Sequence, residues 1–218
     1  MVSDIQWVNV DNEADKEMIV VGEWMPITIY KVRGGKLENI TASTGLGKTN
    51  GWWNCVNTGD FDGDGDIDLV AGNLGKNSRI KASEKSPLKI FARDFDNNGS
   101  IDPVLAFTKN GKSYPYAGRD MLIKQVSKIK KKFPRYINYS NATVEEIFSP
   151  NEIKGALKLE AYQLATCYFE NNGSGNFTTK QLPIEAQVAP CHDILNDCLL
   201  YTSPSPRDQR GSRMPSSA

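Results

Sequence analysis

Short runs of alternating apolar and polar residues, separated by turn residues, extend along much of the chain. Alternation over about four to eight residues, bounded by Gly, Pro, Asn or Asp, is typical of β-strands with one buried face. The pattern predicts two strands within residues 18–31, on either side of the Gly22–Pro26 segment. It also predicts a turn at 33–35 and a further strand from Lys36.

The next part of the chain repeats one scheme, in which a strand leads into an acidic loop and a second strand leaves it. "GWWNCVNTGD" and "IDLVAGNL" form the first copy, and "PLKIFARDFD" and "IDPVLAFTKNG" form the second. Nearer the end, "TCYFENNGSGNFTTKQLP" predicts a hairpin with its turn at Asn171–Gly175. The fold class is therefore predicted to be mainly β.

Residues 117–166 differ, because their apolar positions follow a helical period. The spacing is carried by Leu122, Val126, Ile129 and Phe133. Thr143 with Glu146, and Ser149 with Glu152, have the spacing of helix N-terminal capping boxes. We expect "EIKGALKLEAYQLA" to continue as a helix, so that 117–166 forms a helical insertion between β-repeats at 1–116 and 167–197.

Composition excludes several classes of protein. Hydrophobic residues make up 39% of the 218 residues, which suits a globular chain, and the formal net charge is zero. A neutral chain gives no indication of a nucleic-acid partner. No apolar run reaches the roughly 20 residues of a membrane span, and the first residues lack the pattern of a signal peptide. The scattered cysteines do not have the spacing of a zinc site.

The last residues, 198–218, change abruptly to Ser, Pro and Arg without periodicity. Composition of this kind predicts a disordered tail. The stretch "CLLYTSPSPRD" also resembles the translation of a transposon-based sequencing adapter, and "SRMPSSA" resembles its other end. We therefore treat 198–218 as non-native and expect 1–197 to be a fragment of a longer protein.

The two acidic loops align residue by residue over nine positions. Oxygen-bearing side chains recur at positions 1, 3, 5, 7 and 9, and glycine holds position 6, where a sharp turn is needed. These candidate ligands are Asp60, Asp62, Asp64, Asp66 and Asp68 in the first loop, and Asp94, Asp96, Asn98, Ser100 and Asp102 in the second. At position 7 we expect the backbone carbonyl to be the ligand.

Short oxygen-bearing side chains at alternate positions of a tight turn are suited to calcium. Ca²⁺ takes about six to eight oxygen ligands, and the ion neutralises carboxylates that would otherwise repel one another. An EF-hand would need Glu at position 12 and flanking helices. That position holds Ala71 in the first loop and Leu105 in the second, and the flanks are strand-like. The sequence therefore predicts Ca²⁺ loops between strands.

A nine-residue loop that ends in Asp between two strands resembles the FG-GAP/VCBS repeat of integrin α-subunit-like β-propellers. The "LVAGNLG" and "FENNGSGNF" segments are similar to that family, and "VVGEWMPI" and "GWWN" resemble large bacterial VCBS-repeat proteins related to the cartilage acidic protein group. The resemblance implies a propeller of four-stranded blades, calcium in the loops between strands, and an extracytoplasmic location. It would make the chain a fragment of an FG-GAP-type β-propeller with a helical insertion.

A third loop has the spacing but departs from the pattern. Its ligand positions are Asn9, Asp11, Glu13, Asp15 and Glu17, and Ala14 replaces the glycine of position 6. We interpret it as a weak or decayed metal site. "DILND" at 193–197 looks like the start of another repeat.

These observations predict a calcium-binding, non-catalytic repeat of a binding, adhesion or scaffold protein, with an unknown protein or glycan ligand. One alternative is an accessory or catalytic propeller domain of a carbohydrate-active enzyme. Another is a structural repeat without metal, because Asp- and Asn-rich loops can be Asx-turns satisfied by their own backbone. Trp24, Trp52 and Trp53 could stack on a ligand or pack between blades.

Overall fold

A computed structural model describes residues 1–196, so the tail and Asp197, the last residue of the segment that looks like the start of another repeat, lie outside the described part. The strands are β1 Val2–Val8, β2 Glu17–Met25, β3 Thr28–Arg33, β4 Lys36–Asn39, β5 Gly51–Trp52, β6 Cys55–Gly59, β7 Asp68–Gly72, β8 Leu88–Arg93, β9 Asp102–Lys109, β10 Lys112–Pro115, β11 Leu157–Ala161, β12 Cys167–Asn171 and β13 Phe177–Gln181. The helices are α1 Arg119–Gln125, α2 Ile129–Lys132, α3 Tyr136–Tyr139, α4 Val144–Ile147 and α5 Pro150–Lys154.

The strands of 1–196 form three antiparallel sheets, which confirms the mainly β prediction. The first has the order β1-β2-β3-β4, with β5 also pairing with β2. The second has the order β10-β9-β8-β11, and the third the order β13-β12-β7-β6. Two of the sheets have the four strands expected of a propeller blade, and the first has a fifth strand. They do not close into a barrel within these residues.

The second sheet is nested inside the third. Strands β6 and β7 precede it in the chain and β12 and β13 follow it, yet β7 and β12 pair directly through Leu69 and Phe169. The helices lie within this nested segment, between β10 and β11. The departure from a simple repeat is therefore longer than the predicted 117–166 segment, since it also includes β8–β11.

The prediction of a helix through "EIKGALKLEAYQLA" is wrong in its second half. Helix α5 ends at Lys154, and Gly155 is its C-terminal cap. Leu157–Ala161 instead pairs with β8, from Leu157 opposite Ala92 to Ala161 opposite Leu88. The edge of β8 would otherwise be left without backbone partners, so tertiary pairing overrides local helix propensity here.

The expected helical face around Val126 is buried, but the helix is interrupted. Leu122, Val126 and Ile129 are almost completely buried, as the spacing predicted. Val126, with φ −126°, is the C-terminal cap of α1, and a new short helix begins at Ile129. The predicted apolar positions are therefore buried even though two short helices, separated by a turn, replace the single predicted helix.

Two apolar cores organise the described residues. The first joins the first and third sheets, where Ile19 and Ile29 pack with Leu69 and Phe169. Trp53 is fully buried in this core, and its ring lies edge-on to Phe169 at 5.7 Å between centroids. Trp53 thus packs between sheets. The second core joins the second sheet to the helices through residues such as Phe91, Val104, Leu122, Ile147 and Phe148.

Both predicted capping boxes are present. The side chains of Thr143 and Ser149 accept the N–H of Glu146 and Glu152, and each glutamate accepts the N–H of its cap residue. Glu152 also binds the ammonium of Lys128. Burial opposes ionisation of Glu152, but the hydrogen bonds from Lys128 and Ser149 outweigh it and lower the pKa of Glu152 to about 2.

This depressed pKa predicts a pH-dependent stabilisation. The contribution of the Glu152 carboxylate is complete above the ordinary pKa of 4.5 and is lost as the pH falls towards 2. We expect Glu152→Gln to lower the free energy of unfolding by about 1 kcal/mol at pH 7, since the pair is partly solvated. Urea unfolding of wild type and Glu152→Gln, measured at several values between about pH 7 and about pH 2.5, tests this expectation.

The difference between wild type and Glu152→Gln should shrink steadily below about pH 4.5. Glu185→Gln, at an exposed position, is the matched control and should leave stability unchanged throughout. If the loss of stability in Glu152→Gln is the same at every pH, the stabilisation does not come from the ionised carboxylate of Glu152.

Candidate metal centres

Each acidic loop connects the first two strands of its sheet. The loop at 60–67 joins β6 to β7, the loop at 94–101 joins β8 to β9, and the loop at 9–16 joins β1 to β2. The predicted arrangement of strand, acidic loop and strand is therefore confirmed for the loops at 60–68 and 94–102, and the loop at 9–17 has the same arrangement because of β1, which the sequence did not predict. In the first and third sheets the loop joins an edge strand to its neighbour, and in the second it joins the two central strands.

One hydrogen bond closes all three loops in the same way. The backbone N–H at position 2 donates to the carboxylate at position 9, where the second strand begins. The pairs are Phe61 to Asp68 Oδ2 at 3.1 Å, Phe95 to Asp102 Oδ2 at 2.9 Å, and Val10 to Glu17 Oε2 at 3.0 Å. The position 9 residues are buried in all three loops. A buried carboxylate at this position is therefore part of the fold as well as a candidate ligand.

In the first loop, Asp60 organises the turn. Its Oδ1 accepts the N–H of Gly63 at 2.7 Å, and its Oδ2 accepts that of Gly65 at 3.1 Å. Gly63 and Gly65 have φ values of 83° and 94°, which side chains rarely adopt. The turn brings one oxygen each of Asp60, Asp62 and Asp68 within 4.8 Å of one another.

The second loop repeats this geometry. Asp94 accepts the N–H of Asn98 at 3.0 Å and of Gly99 at 2.8 Å, and oxygens of Asp94, Asp96 and Asp102 lie within 4.8 Å of one another. The bond from Gly99 is the main reason that the pKa of Asp94 is lowered. The Oδ1 atom of Asp96 is buried and has no hydrogen-bond partner. A buried carboxylate oxygen without a partner is costly unless a cation binds it.

The remaining predicted ligands lie in the loops but outside these groups of three carboxylates. Asp64 accepts the N–H of Asp66 at 2.9 Å, and Asn98 accepts that of Ser100 at 2.8 Å. These are local Asx-turn contacts. The Oδ1 of Asp66 accepts the side-chain amide of Asn12 at 3.0 Å, so it links the first acidic loop to the loop at 9–17.

Asp68 has partners that local sequence does not indicate. Its Oδ2 accepts the hydroxyl of Tyr168 at 2.8 Å, and its Oδ1 accepts the N–H of Asn171 at 2.8 Å. Burial and this bond to Asp68 raise the pKa of Tyr168. Both partners lie on β12, about one hundred residues away in sequence. Asp68 therefore fixes the loop to the opposite half of its sheet.

Asn171 extends this connection to the first sheet. Its buried side-chain amide donates to the carbonyl of Val10 at 2.7 Å and of Ile67 at 3.0 Å. Its Oδ1 accepts the N–H of Gly173 and of Gly175, which forms the predicted turn at 171–175. One asparagine thus ties together the loop at 9–17, the loop at 60–68 and the hairpin turn.

The two groups of carboxylates have no internal counter-charge. Within residues 1–196, the ion pairs at 4.0 Å or less do not include any acidic residue of 60–68 or 94–102. Loss of hydration within the first loop and the charges of Asp64 and Asp68 raise the pKa of Asp62. The repulsion expected from the sequence is therefore present in the folded loop.

The loop at 9–17 differs in this respect. The ammonium of Lys31 lies 2.6 Å from Asp11 Oδ2 and 2.7 Å from Glu13 Oε2. It also lies 3.9 Å from Glu17 Oε1. Of the five residues that the sequence offered as a weak metal site, Asp11, Glu13 and Glu17 thus lie within 4.0 Å of a lysine ammonium. Asn9 instead donates to the carbonyl of Glu13, and Asp15 is not among the ion pairs of residues 1–196.

Comparison with known proteins agrees with this architecture. Residues 9–71 match the family model described as FG-GAP-like repeat, from the loop at 9–17 to the fourth residue of β7. The match supports an FG-GAP/VCBS-type repeat in this segment and agrees with the mainly β fold. No curated protein and no solved structure matches the chain. The helices within 1–196 are too short or too polar to cross a membrane.

The contacts of Asp68 predict a large structural effect in the absence of metal. We expect Asp68→Asn to lower the free energy of unfolding by about 3 kcal/mol in EDTA, because Asp68 is buried and an amide cannot accept from all three of its donors. Urea unfolding in EDTA measures this effect. Asp60→Asn is the control, since its contacts lie within the exposed loop. Equal losses in the two variants would contradict the assigned role of Asp68.

Proposed function

We propose that the loops at 60–68 and 94–102 bind Ca²⁺ and that calcium stabilises this propeller-like repeat domain. The observation that carries the proposal is the repeated group of three carboxylates with oxygens within 4.8 Å of one another. Asp60, Asp62 and Asp68 would hold one ion, and Asp94, Asp96 and Asp102 the other. The remaining ligands would come from positions 5 and 7, with a backbone carbonyl at position 7 of each loop.

The chemistry of the donor set favours calcium over softer metals. The grouped ligands are carboxylate oxygens, and Ca²⁺ is bound by oxygen at about 2.3–2.6 Å, whereas zinc sites use cysteine and histidine. An Asx-turn without metal would explain the bonds from glycine N–H groups. It does not explain why Asp96 Oδ1 is buried without a partner, which a cation would satisfy.

The role we propose for calcium is structural. The bound ion would neutralise carboxylates that repel one another and would fix the connection between the first two strands of each sheet. At an affinity typical of extracellular modules, about 0.1 mM, calcium at about 1 mM stabilises each site by roughly 1.4 kcal/mol. We propose that the domain acts outside the cytoplasm, as the similarity to FG-GAP repeats suggests.

We propose a non-catalytic role in binding, adhesion or scaffolding, with a protein or glycan ligand. The carboxylates that the structure groups in 1–196 are those of the two loops. A calcium-stabilised repeat domain presents a rigid surface and keeps its loops in fixed positions, which suits recognition. The ligand itself would be found by binding to the calcium-loaded domain.

Thermal unfolding tests the calcium proposal. We expect about 1 mM Ca²⁺ to raise the melting temperature by about 5–10 °C relative to EDTA, as two sites of the stated affinity require. Mg²⁺ at the same concentration should have a smaller effect, since it loses its hydration shell reluctantly.

Asp60→Asn combined with Asp62→Asn should remove about half of this shift. The matched control, Glu145→Gln at an exposed helix position, should retain all of it. A melting temperature that calcium leaves unchanged would contradict the proposal. A shift that persists in the double variant would exclude the first loop as a site.

A further inference from the structure

The loop at 9–17 shares only part of the geometry of the two candidate calcium loops. Position 4 is in the left-handed region in all three, at Asn12, Gly63 and Asn97, with φ between 60° and 83°. Position 6 is left-handed in Gly65 and Gly99, whereas Ala14 does not have a positive φ. The loop therefore keeps the closing bond to position 9 but lacks the second glycine turn.

The environment of Lys31 accounts for the difference. Lys31 lies on β3, which pairs with β2 immediately beyond the loop, and its side chain is 7% exposed. Its ammonium donates to the carboxylates of Asp11 and Glu13, at positions 3 and 5, and lies 3.9 Å from Oε1 of Glu17, at position 9. Glu17 Oε1 is buried without a hydrogen-bond partner, and the charge of Lys31 offsets its charge. The same positions hold candidate calcium ligands in the aligned loops.

In the third sheet, the strand that pairs with the second strand of the loop brings a different side chain to the loop. There the strand that pairs with β7 presents Tyr168, whose neutral hydroxyl donates to Asp68 Oδ2. The adjacent carboxylates of Asp60 and Asp62 have no cationic partner among the described residues. The same kind of loop thus occurs in two forms. In the first sheet a lysine lies beside its carboxylates, and in the third sheet the carboxylates have no cationic partner among the described residues.

We infer that the ammonium of Lys31 takes the place of the metal ion in the loop at 9–17, which makes the first sheet independent of calcium. The inference deepens the proposed function, because it assigns calcium to two of the three loops. An ammonium group has three donors and one positive charge, so it can satisfy several carboxylate oxygens at once. A divalent ion would have to displace it from a nearly buried position.

The replacement of a metal ion by Lys31 matters because the loop at 9–17 contacts the third sheet. Val10, in the loop, accepts the amide of Asn171, and Asn12 donates to Asp66 of the first candidate calcium loop. The loop at 9–17 is therefore part of the contact between the first and third sheets. With Lys31 in place, this contact stays formed when calcium is removed.

The first test measures stability in EDTA, where no loop holds metal. Lys31→Met keeps most of the side-chain volume and removes the charge, leaving three carboxylates unpaired. We expect its melting temperature to be about 10 °C lower than that of wild type. Lys31→Arg should recover most of the loss, since it restores the charge. Lys36→Met, at an exposed position of the same sheet, should melt as wild type does. Equal melting of Lys31→Met and wild type would overturn the inference.

The second test counts bound calcium by equilibrium dialysis of the full chain. Asp11→Asn combined with Glu13→Gln should leave the number of bound ions unchanged, whereas Asp60→Asn with Asp62→Asn should reduce it by one. A reduction in the Asp11 and Glu13 variant would overturn the inference about Lys31 and leave the calcium proposal intact. If wild type binds no calcium, the calcium proposal is refuted. The role of Lys31 would then be decided only by the melting temperatures measured in EDTA.

Discussion

A buried carboxylate at the end of each acidic loop accepts the N–H at the second loop position, and the first two strands of each sheet depend on this bond. Asp68, Asp102 and Glu17 all make it. It places the remaining carboxylates of the loop on one side of a tight turn. A loop closed in this way brings its carboxylates close together, and a nearby cation would offset their repulsion.

The three loops differ in the cation that could offset the repulsion between their carboxylates. Lys31 reaches Asp11 and Glu13 from the neighbouring strand, so the first sheet contains its own cation. The other two loops have no such partner within 1–196, which is why we propose Ca²⁺ there. Asn171 then connects the two kinds of loop through Val10 and Ile67. The loop that we infer to be independent of calcium is thus connected to one that we propose to bind it.

Local features were predictable from the sequence and long-range partners were not. Alternating aspartates with glycine at position 6 located both candidate sites, and the spacing of Thr143 with Glu146 located a helix start. Lys31 lies 20 residues from Asp11, and Tyr168 lies 100 residues from Asp68, so neither leaves a local signal. Leu157–Ala161 was misassigned for the same reason, since its pairing with β8 is set by the open strand edge.

A crystal structure of the chain grown with calcium, with anomalous scattering to locate the ions, would show which loops hold calcium. We expect anomalous peaks between Asp60, Asp62 and Asp68 and between Asp94, Asp96 and Asp102. We expect the nitrogen of Lys31, without a peak, in the loop at 9–17. A calcium peak in that loop, or the absence of peaks from the other two, would contradict this assignment of calcium.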